Sequence, residues 1–247
     1  MASEADSAGT HGPGGAQRAA AGETPRLNPA SPFFHEERHA SLAAVRHRPI
    51  TICGAGALGG NLAETLARMG FGRLTVIDRD RVEMRNLSTQ PYMRAEVGTP
   101  KARALANALY RAVQARMTPI VAELTAANAA ALLASAALVV DAFDNHAARA
   151  AVSAFARRAA VPCLHIGFSG DGVYGSGIWE PGYAVPGDAG DDPCDYPLTR
   201  PFALALAALA ARAAVESLTA GTAVDFELTW KDARVALSPR HARVRVE

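Results

Sequence analysis

A chain of 247 residues, 49% of them hydrophobic, is long enough to bury one substantial core. Its 25 basic and 24 acidic residues leave a formal net charge of +1, which gives no basis for a nucleic-acid surface. The three cysteines, Cys53, Cys163 and Cys194, contain no CxxC pair, so neither a disulfide framework nor a structural zinc site is expected.

Residues 1–32 are rich in Gly, Ala, Ser, Glu and Pro without a hydrophobic period, and read as a disordered leader. They lack the apolar core of a secretory signal. The apolar stretch Phe202 to Ala211 is stopped by Arg212 and is short for a membrane span, so a cytoplasmic protein is expected. Residues 33–247 read as a single domain.

His35 to His47 reads as a short helix with Leu42 and Val45 on one side. Pro49 to Cys53 follows as a buried strand. The turn Gly54-Ala55-Gly56-Ala57-Leu58-Gly59 then delivers the chain into a helix over Asn61 to Met69. Leu74 to Ile77 is a second strand, and residues 82–98 an irregular polar segment. Lys101 to Arg116 places Leu105, Leu109 and Val113 at helical spacing.

Pro119 to Leu124 reads as a strand, Ala126 to Leu133 as a helix and Ala137 to Val140 as a strand ending at Asp141. A helix over 147–159 and a strand over 162–166 complete the alternation. Residues 167–200, rich in Gly, Pro, Asp and Tyr, read as one long loop, and such loops are often functional. A helix over 202–218 is followed by an antiparallel pair, 224–230 and 233–237, turning at Lys231-Asp232. The pattern predicts a Rossmann-like α/β fold. Its sheet is mostly parallel, with helices on both faces and a C-terminal mixed-sheet extension.

The glycines carry the first chemical signal. A GxGxxG turn lets backbone approach phosphate oxygens, and the following helix N-terminus attracts anionic charge. Asp78 lies 22 residues after Gly56, close to the separation of a ribose-binding acid in a βαβ unit. Close packing of a strand against a helix is the alternative use of such glycines.

Five linked elements carry a resemblance. They are Gly54 to Gly59, Asp78-Arg79-Asp80-Arg81-Val82, Asn86-Leu87-Ser88-Thr89-Gln90, Gly98-Thr99-Pro100-Lys101, and Asp141-Ala142-Phe143-Asp144-Asn145 with Arg149 downstream. In this order they resemble the ThiF/MoeB family, which includes the ubiquitin-activating enzymes, over residues 50–149 and onward to about 237.

The resemblance implies an ATP-dependent adenylyltransferase that uses Mg2+ and activates a C-terminal carboxylate, with pyrophosphate released. The partner implied is a ubiquitin-like or sulfur-carrier protein, or a peptide, and the assembly a homodimer. Gly54, Gly56, Gly59, Asp78, Asp80, Asn86, Gln90 and Lys101 are then the expected nucleotide-binding residues. Lys101 offers a point charge to phosphate, and Asp144 holds magnesium. Asn86 and Gln90 either bind phosphate or support their loop, and Arg149 either supports the Asp144 side or is a surface residue. Zinc is not carried over.

One position departs from the pattern: the arginine expected before Gln90 is Thr89, whose hydroxyl cannot supply a charge-assisted bond. Arg85, Arg68 and Arg38 are candidates to replace that charge. The position of Cys194 resembles the active-site loop of family members that transfer a ubiquitin-like modifier through a thioester, although Asp191, Asp192 and Asp195 would raise its pKa unless Arg200 or a helix terminus offsets them. A free thiol without chemistry is the alternative. His165 is read as facing the acyl group or as a core histidine. Tyr174 and Trp179 are read as packing around a peptide tail or as bracing the loop. An NAD-dependent oxidoreductase would share the first βαβ unit but leave Asn86, Gln90, Lys101 and Asp144 unexplained. A non-catalytic scaffold is the third reading.

Overall fold

Alternating apolar strands and Ala/Leu-rich helices build a sheet covered on both faces. The computed structural model describes residues 28–187 and 197–239. Its strands are β1 (Ile50–Cys53), β2 (Leu74–Ile77), β3 (Thr118–Ile120), β4 (Leu138–Asp141), β5 (Cys163–Phe168), β6 (Tyr174–Trp179), β7 (Val224–Thr229) and β8 (Arg234–Pro239). They form one sheet in the order β3-β2-β1-β4-β5-β6-β7-β8. The pairings from β3 to β5 are parallel, and those from β5 to β8 antiparallel. The expected mixed sheet is therefore the one observed.

The helices are α1 (Ala40–Val45), α2 (Gly59–Arg68), α3 (Lys101–Val113), α4 (Ala129–Leu133), α5 (His146–Ala159) and α6 (Arg200–Ala220). Strand side chains alternate between two cores, as their period of two requires. Ile50, Ile52, Leu138, Val140, Leu164 and Ile166 pack in the core that also holds Leu62, Leu105 and Phe202 from α2, α3 and α6. Cys53, Val139 and Cys163 turn to the other core, with Leu133 of α4 and Phe155 of α5. Strands buried on both faces read as largely apolar runs, and β1 and β4 are legible for that reason.

Several elements differ from expectation. The helix over 35–47 divides into a 3-10 turn, Glu36–Arg38, and α1, because His39 is extended at φ −94 and ψ 97. Leu42 and Val45 are buried as anticipated. Helix α6 is longer than read: it starts at Arg200 with proline in its first turn and stops at Gly221, φ +63. Contrary to the short stretch expected, α6 is long and apolar enough to cross a membrane, yet half of its most apolar window is buried inside the protein.

The largest correction concerns residues 167–200. Strand β5 continues to Phe168, and β6 returns antiparallel to it, so the first part of this stretch is sheet and not loop. Glycines hid the strand. A Cβ at Gly175 would lie 2.6 Å from Leu206 Cδ2, and one at Gly177 would lie 2.2 Å from Phe226 Cε1. Close approach of α6 and β7 demands the missing side chains, and a strand without them shows no hydrophobic alternation. Trp179 is buried with its indole N–H on the Val224 carbonyl, whereas Tyr174 is exposed. Residues 188–196, and with them Cys194, lie outside the described residues.

Candidate functional site

Strand β1 is flanked by β2 on one side and β4 on the other, so the chain leaves the sheet in opposite directions at their carboxyl ends. Ligands of open α/β sheets bind in the crevice this creates. A cleft of about 560 Å³, counting its solvent-open mouth, occupies that crevice. Gly54 and Gly56 enter it from the end of β1, Asp78 and Asp80 from β2, and Asp144 from the turn after β4. Lys101 enters from the start of α3.

The three turn glycines do different work. Gly54 has φ +98, and a Cβ there would lie 2.9 Å from the Ala142 carbonyl oxygen. At Gly59 a Cβ would meet the Gly54 carbonyl oxygen at 2.0 Å, and this glycine does not line the cleft. Both let strand, turn and helix close-pack. At Gly56 nothing lies within 4 Å of the Cβ position. Its missing side chain leaves open space at the cleft wall, which a phosphate chain can use.

Asp78 is buried and ties the turn to β2. Its Oδ2 accepts the Ala55 N–H at 2.7 Å and its Oδ1 the Asp80 N–H at 2.7 Å. Burial raises its pKa, partly offset by the Ala55 amide, Lys101 and the Asp80 amide. Each carboxylate oxygen keeps a lone pair for a further donor.

Lys101 Nζ stands 3.3 Å from Asp80 Oδ2, with the lysine side chain 8% exposed and the aspartate 57%. A lysine opening a helix works against the macrodipole, so its position there does not serve helix stability. Asp144 points into the same cleft from a turn whose first residue, Asp141, accepts the Phe143 N–H at 3.1 Å on Oδ1. Asn145 caps α5 by accepting the Ala148 N–H at 2.9 Å. Among the described residues no group of three His, Cys, Asp or Glu side chains is disposed to hold a metal. A magnesium ion here would take Asp144 and draw its other ligands from phosphates and water, a habitual arrangement for that ion.

Besides Gly59, two further expected residues stand apart from the cleft lining. Asn86 is buried and accepts the Glu83 N–H at 2.8 Å, supporting its own loop. Gln90 is buried with Oε1 unpartnered among the described residues, and its carbonyl accepts from Arg200 at 3.4 Å. Of the arginines considered against Thr89, Arg85 bonds Glu83, Arg68 bonds Glu64 and Arg38 lies over the Phe34 ring. None of the three lines the cleft. The arginine that does is Arg79, bridged to Glu123 at 2.6 Å, and sequence reasoning missed both. The signal was present in the alternation Asp78-Arg79-Asp80, but the partner arrives from the segment after β3.

Behind the cleft, His165 Nδ1 is 2.7 Å from Asp141 Oδ2 and its Nε2 is 3.4 Å from Cys163 Sγ. That is the arrangement of a thiol protease triad without access. Both residues are buried, and burial pushes the Cys163 thiol well above its ordinary range. Cys53 is buried and raised in the same way. Neither is a nucleophile, and His165 is a core residue. Arg149 is half-buried, bonding the Ile166 carbonyl at 2.7 Å and the Tyr183 hydroxyl at 2.8 Å, so it supports the turn from behind.

The model of the ThiF family matches residues 29–177. Over 123 residues the chain is 38% identical to the molybdopterin-synthase adenylyltransferase of Escherichia coli K12, a match covering 49% of each protein. It is 39% identical over 119 residues to the sulfur carrier protein ThiS adenylyltransferase of Bacillus subtilis, covering 46% of this chain and 35% of that protein. The chain thus spans about half or less of the length of these curated relatives. The solved structure of E. coli MccB with AMPCPP and MccA matches with a TM-score of 0.68 at 16% identity, over 90% of this chain and 75% of that one. The E. coli tRNA N6-threonylcarbamoyladenosine dehydratase in complex with ATP matches with a TM-score of 0.65 at 20% identity, over 76% and 94%. At such identities these two likenesses show the fold alone.

Proposed function

Because the chain belongs to the ThiF family, we propose that it adenylates the C-terminal carboxylate of a ubiquitin-like protein, a sulfur carrier or a peptide, using ATP. One observation carries this reading: Gly56, Asp78, Lys101 and Asp144 converge on a single cleft at the carboxyl ends of β1, β2 and β4. A hydride-transfer site would use the glycines and Asp78 and have no need of a buried lysine beside a carboxylate in the wall of the same cleft.

The chain's own residues divide the work. Asp78 accepts from ribose hydroxyls while holding the turn through Ala55. The open space at Gly56 admits the phosphates against the start of α2. Lys101, held near Asp80, places a cation where negative charge accumulates as a carboxylate oxygen attacks the α-phosphorus and pyrophosphate departs. Asp144 would hold Mg2+, which when bound would neutralise phosphate charge. Arg79, the arginine at the rim, supplies a further cation that its bridge to Glu123 leaves available in part. Cys194 is the cysteine proposed for a following thioester step, since Cys53 and Cys163 are enclosed.

Thermal unfolding with Mg-ATP, with NAD and with neither tests the reading, with Asp144→Ala as the control. A ligand bound only to the folded state raises its melting temperature. A rise with Mg-ATP that Asp144→Ala abolishes is expected. No rise with Mg-ATP, or a rise with NAD alone, would refute the adenylation site.

A further inference from the structure

The polar cluster behind the cleft is larger than a core needs. Segment 180–186 is bonded along α5 from its last turns back to its first. The Ser153 hydroxyl donates to Glu180 Oε1, and Arg157 bonds Glu180 at 2.8 Å and the Tyr183 carbonyl at 2.7 Å. Arg149 bonds the Tyr183 hydroxyl, and His146 Nδ1 lies 2.7 Å from the Pro186 carbonyl. The segment thereby reaches the helix turn that follows Asp144 and Asn145.

It also reaches inward. The Tyr183 ring stacks on His165 with centroids 3.7 Å apart and planes 6° from parallel. His165 joins Asp141 Oδ2 at 2.7 Å through Nδ1 and Glu180 Oε1 at 3.1 Å through Nε2. Asp141 then passes the constraint forward through Oδ1 to the Phe143 amide. Both ends of the turn 141–145 are therefore tied to segment 180–186, one by His165 and the other by the first turns of α5. Asp144 itself makes no hydrogen bond or ion pair among the described residues, so the turn alone sets where its carboxylate points.

Stability does not account for this. Buried ion pairs seldom outperform well-packed apolar residues of the same volume. A network of two carboxylates, an imidazole and two guanidiniums gains most by fixing geometry.

We propose that His165 and Tyr183 are positioning residues for the nucleotide site, acting through Asp141 and Arg149 to aim Asp144 at the magnesium-bound phosphates. The inference rests on the adenylation reading above and adds the two residues that make its metal end exact in direction. The nucleoside end, held by Asp78 and the Gly-rich turn, meets the turn 141–145 through backbone alone, the Ala142 N–H donating to the Cys53 carbonyl at 2.8 Å; among the described residues no side chain of the network bonds it.

That separation gives the test, calorimetric titration of the protein with Mg-ATP and with AMP. Partners behind a metal ligand are worth roughly 10–100-fold in affinity. Tyr183→Phe keeps the stacked ring and loses the bond to Arg149; His165→Ala loses the link to Asp141; His165→Gln retains one N–H donor. Tyr183→Phe and His165→Ala are expected to weaken Mg-ATP by about tenfold or more with AMP within about twofold of wild type, and His165→Gln to recover part of the loss. Leu133→Ala, a core change in α4, controls for general loosening. Because Tyr183→Phe leaves every buried charge paired, it keeps the test decisive where His165→Ala does not fold. Unchanged Mg-ATP affinity in Tyr183→Phe, or equal losses for both ligands, overturns the positioning role alone. A wild-type protein that binds neither ligand overturns the adenylation reading together with it.

Discussion

Lys101 Nζ and Asp80 Oδ2 stand 3.3 Å apart on one wall of the cleft, where the Lys101 backbone N–H also donates to the Asp80 carbonyl at 2.8 Å, the lysine stem buried and the carboxylate largely in water. A pair so unequally solvated contributes little as a salt bridge. In the proposed function its use is to hold an ammonium group in place for an anion. Lys101→Ala is expected to fold and to lose Mg-ATP affinity by about one to two orders of magnitude, read by calorimetry. Lys101→Arg is not expected to restore it, since a planar fork does not fit a lysine's pocket.

The same substitution has a pH signature. Lys101 holds down the pKa of Asp78, which burial raises. Without Lys101 that pKa rises further, and a raised carboxylate contributes stability present at low pH and lost as pH climbs through its folded value. The stability deficit of Lys101→Ala should therefore be greater at about pH 7 than at about pH 4 in urea unfolding. An equal deficit at both would show that Asp78 does not sense the lysine.

Gly56 and Gly59 separate binding from folding. Gly56→Ala places a methyl in open space and should leave stability within about 0.5 kcal/mol of wild type while weakening Mg-ATP. Gly59→Ala drives a Cβ to 2.0 Å from the Gly54 carbonyl oxygen and should destabilise the fold by about 3 kcal/mol or more. Chemical denaturation and nucleotide titration of the two variants check both halves.

The buried thiols make stability fall in alkali. Cys53 and Cys163 stay protonated when folded, whereas unfolded thiols ionise near pH 8.5. Raised folded pKa values mean stability that is complete below that pH and declines above it. The slope reaches about 1.4 kcal/mol per pH unit for each thiol. Replacing both with Ala should flatten the decline between about pH 8.5 and 10. Iodoacetamide should modify neither in the native protein.

In the proposed function Cys194 separates adenylation from the thioester step. Cys194→Ala is expected to retain ATP–pyrophosphate exchange with a competent carboxylate partner and to lose any thiol-sensitive adduct on a non-reducing gel. Loss of exchange itself would place Cys194 in adenylation and remove the thioester step from the proposal.

Much of this was legible beforehand for a local reason. β1, β2 and β4 are largely apolar runs because both faces are covered, and Gly54, Asp78, Lys101 and Asp144 sit near their ends or at a helix start, where spacing alone reveals them. Strand β6 was not legible. Its Gly175 and Gly177 erase the alternation, and their meaning exists only against Leu206 and Phe226, which come from later in the chain.

The sequence by itself determined the mixed α/β fold, the family and the residue types at the cleft, because those depend on periodicity and on short-range spacing. Tertiary structure decided which of them meet. It brought Arg79 to Glu123, left Asn86 to brace its own loop, and enclosed His165 between Asp141 and Glu180. Contacts between residues 15 to 44 positions apart depend on how strands pair and helices pack, and no local pattern encodes them.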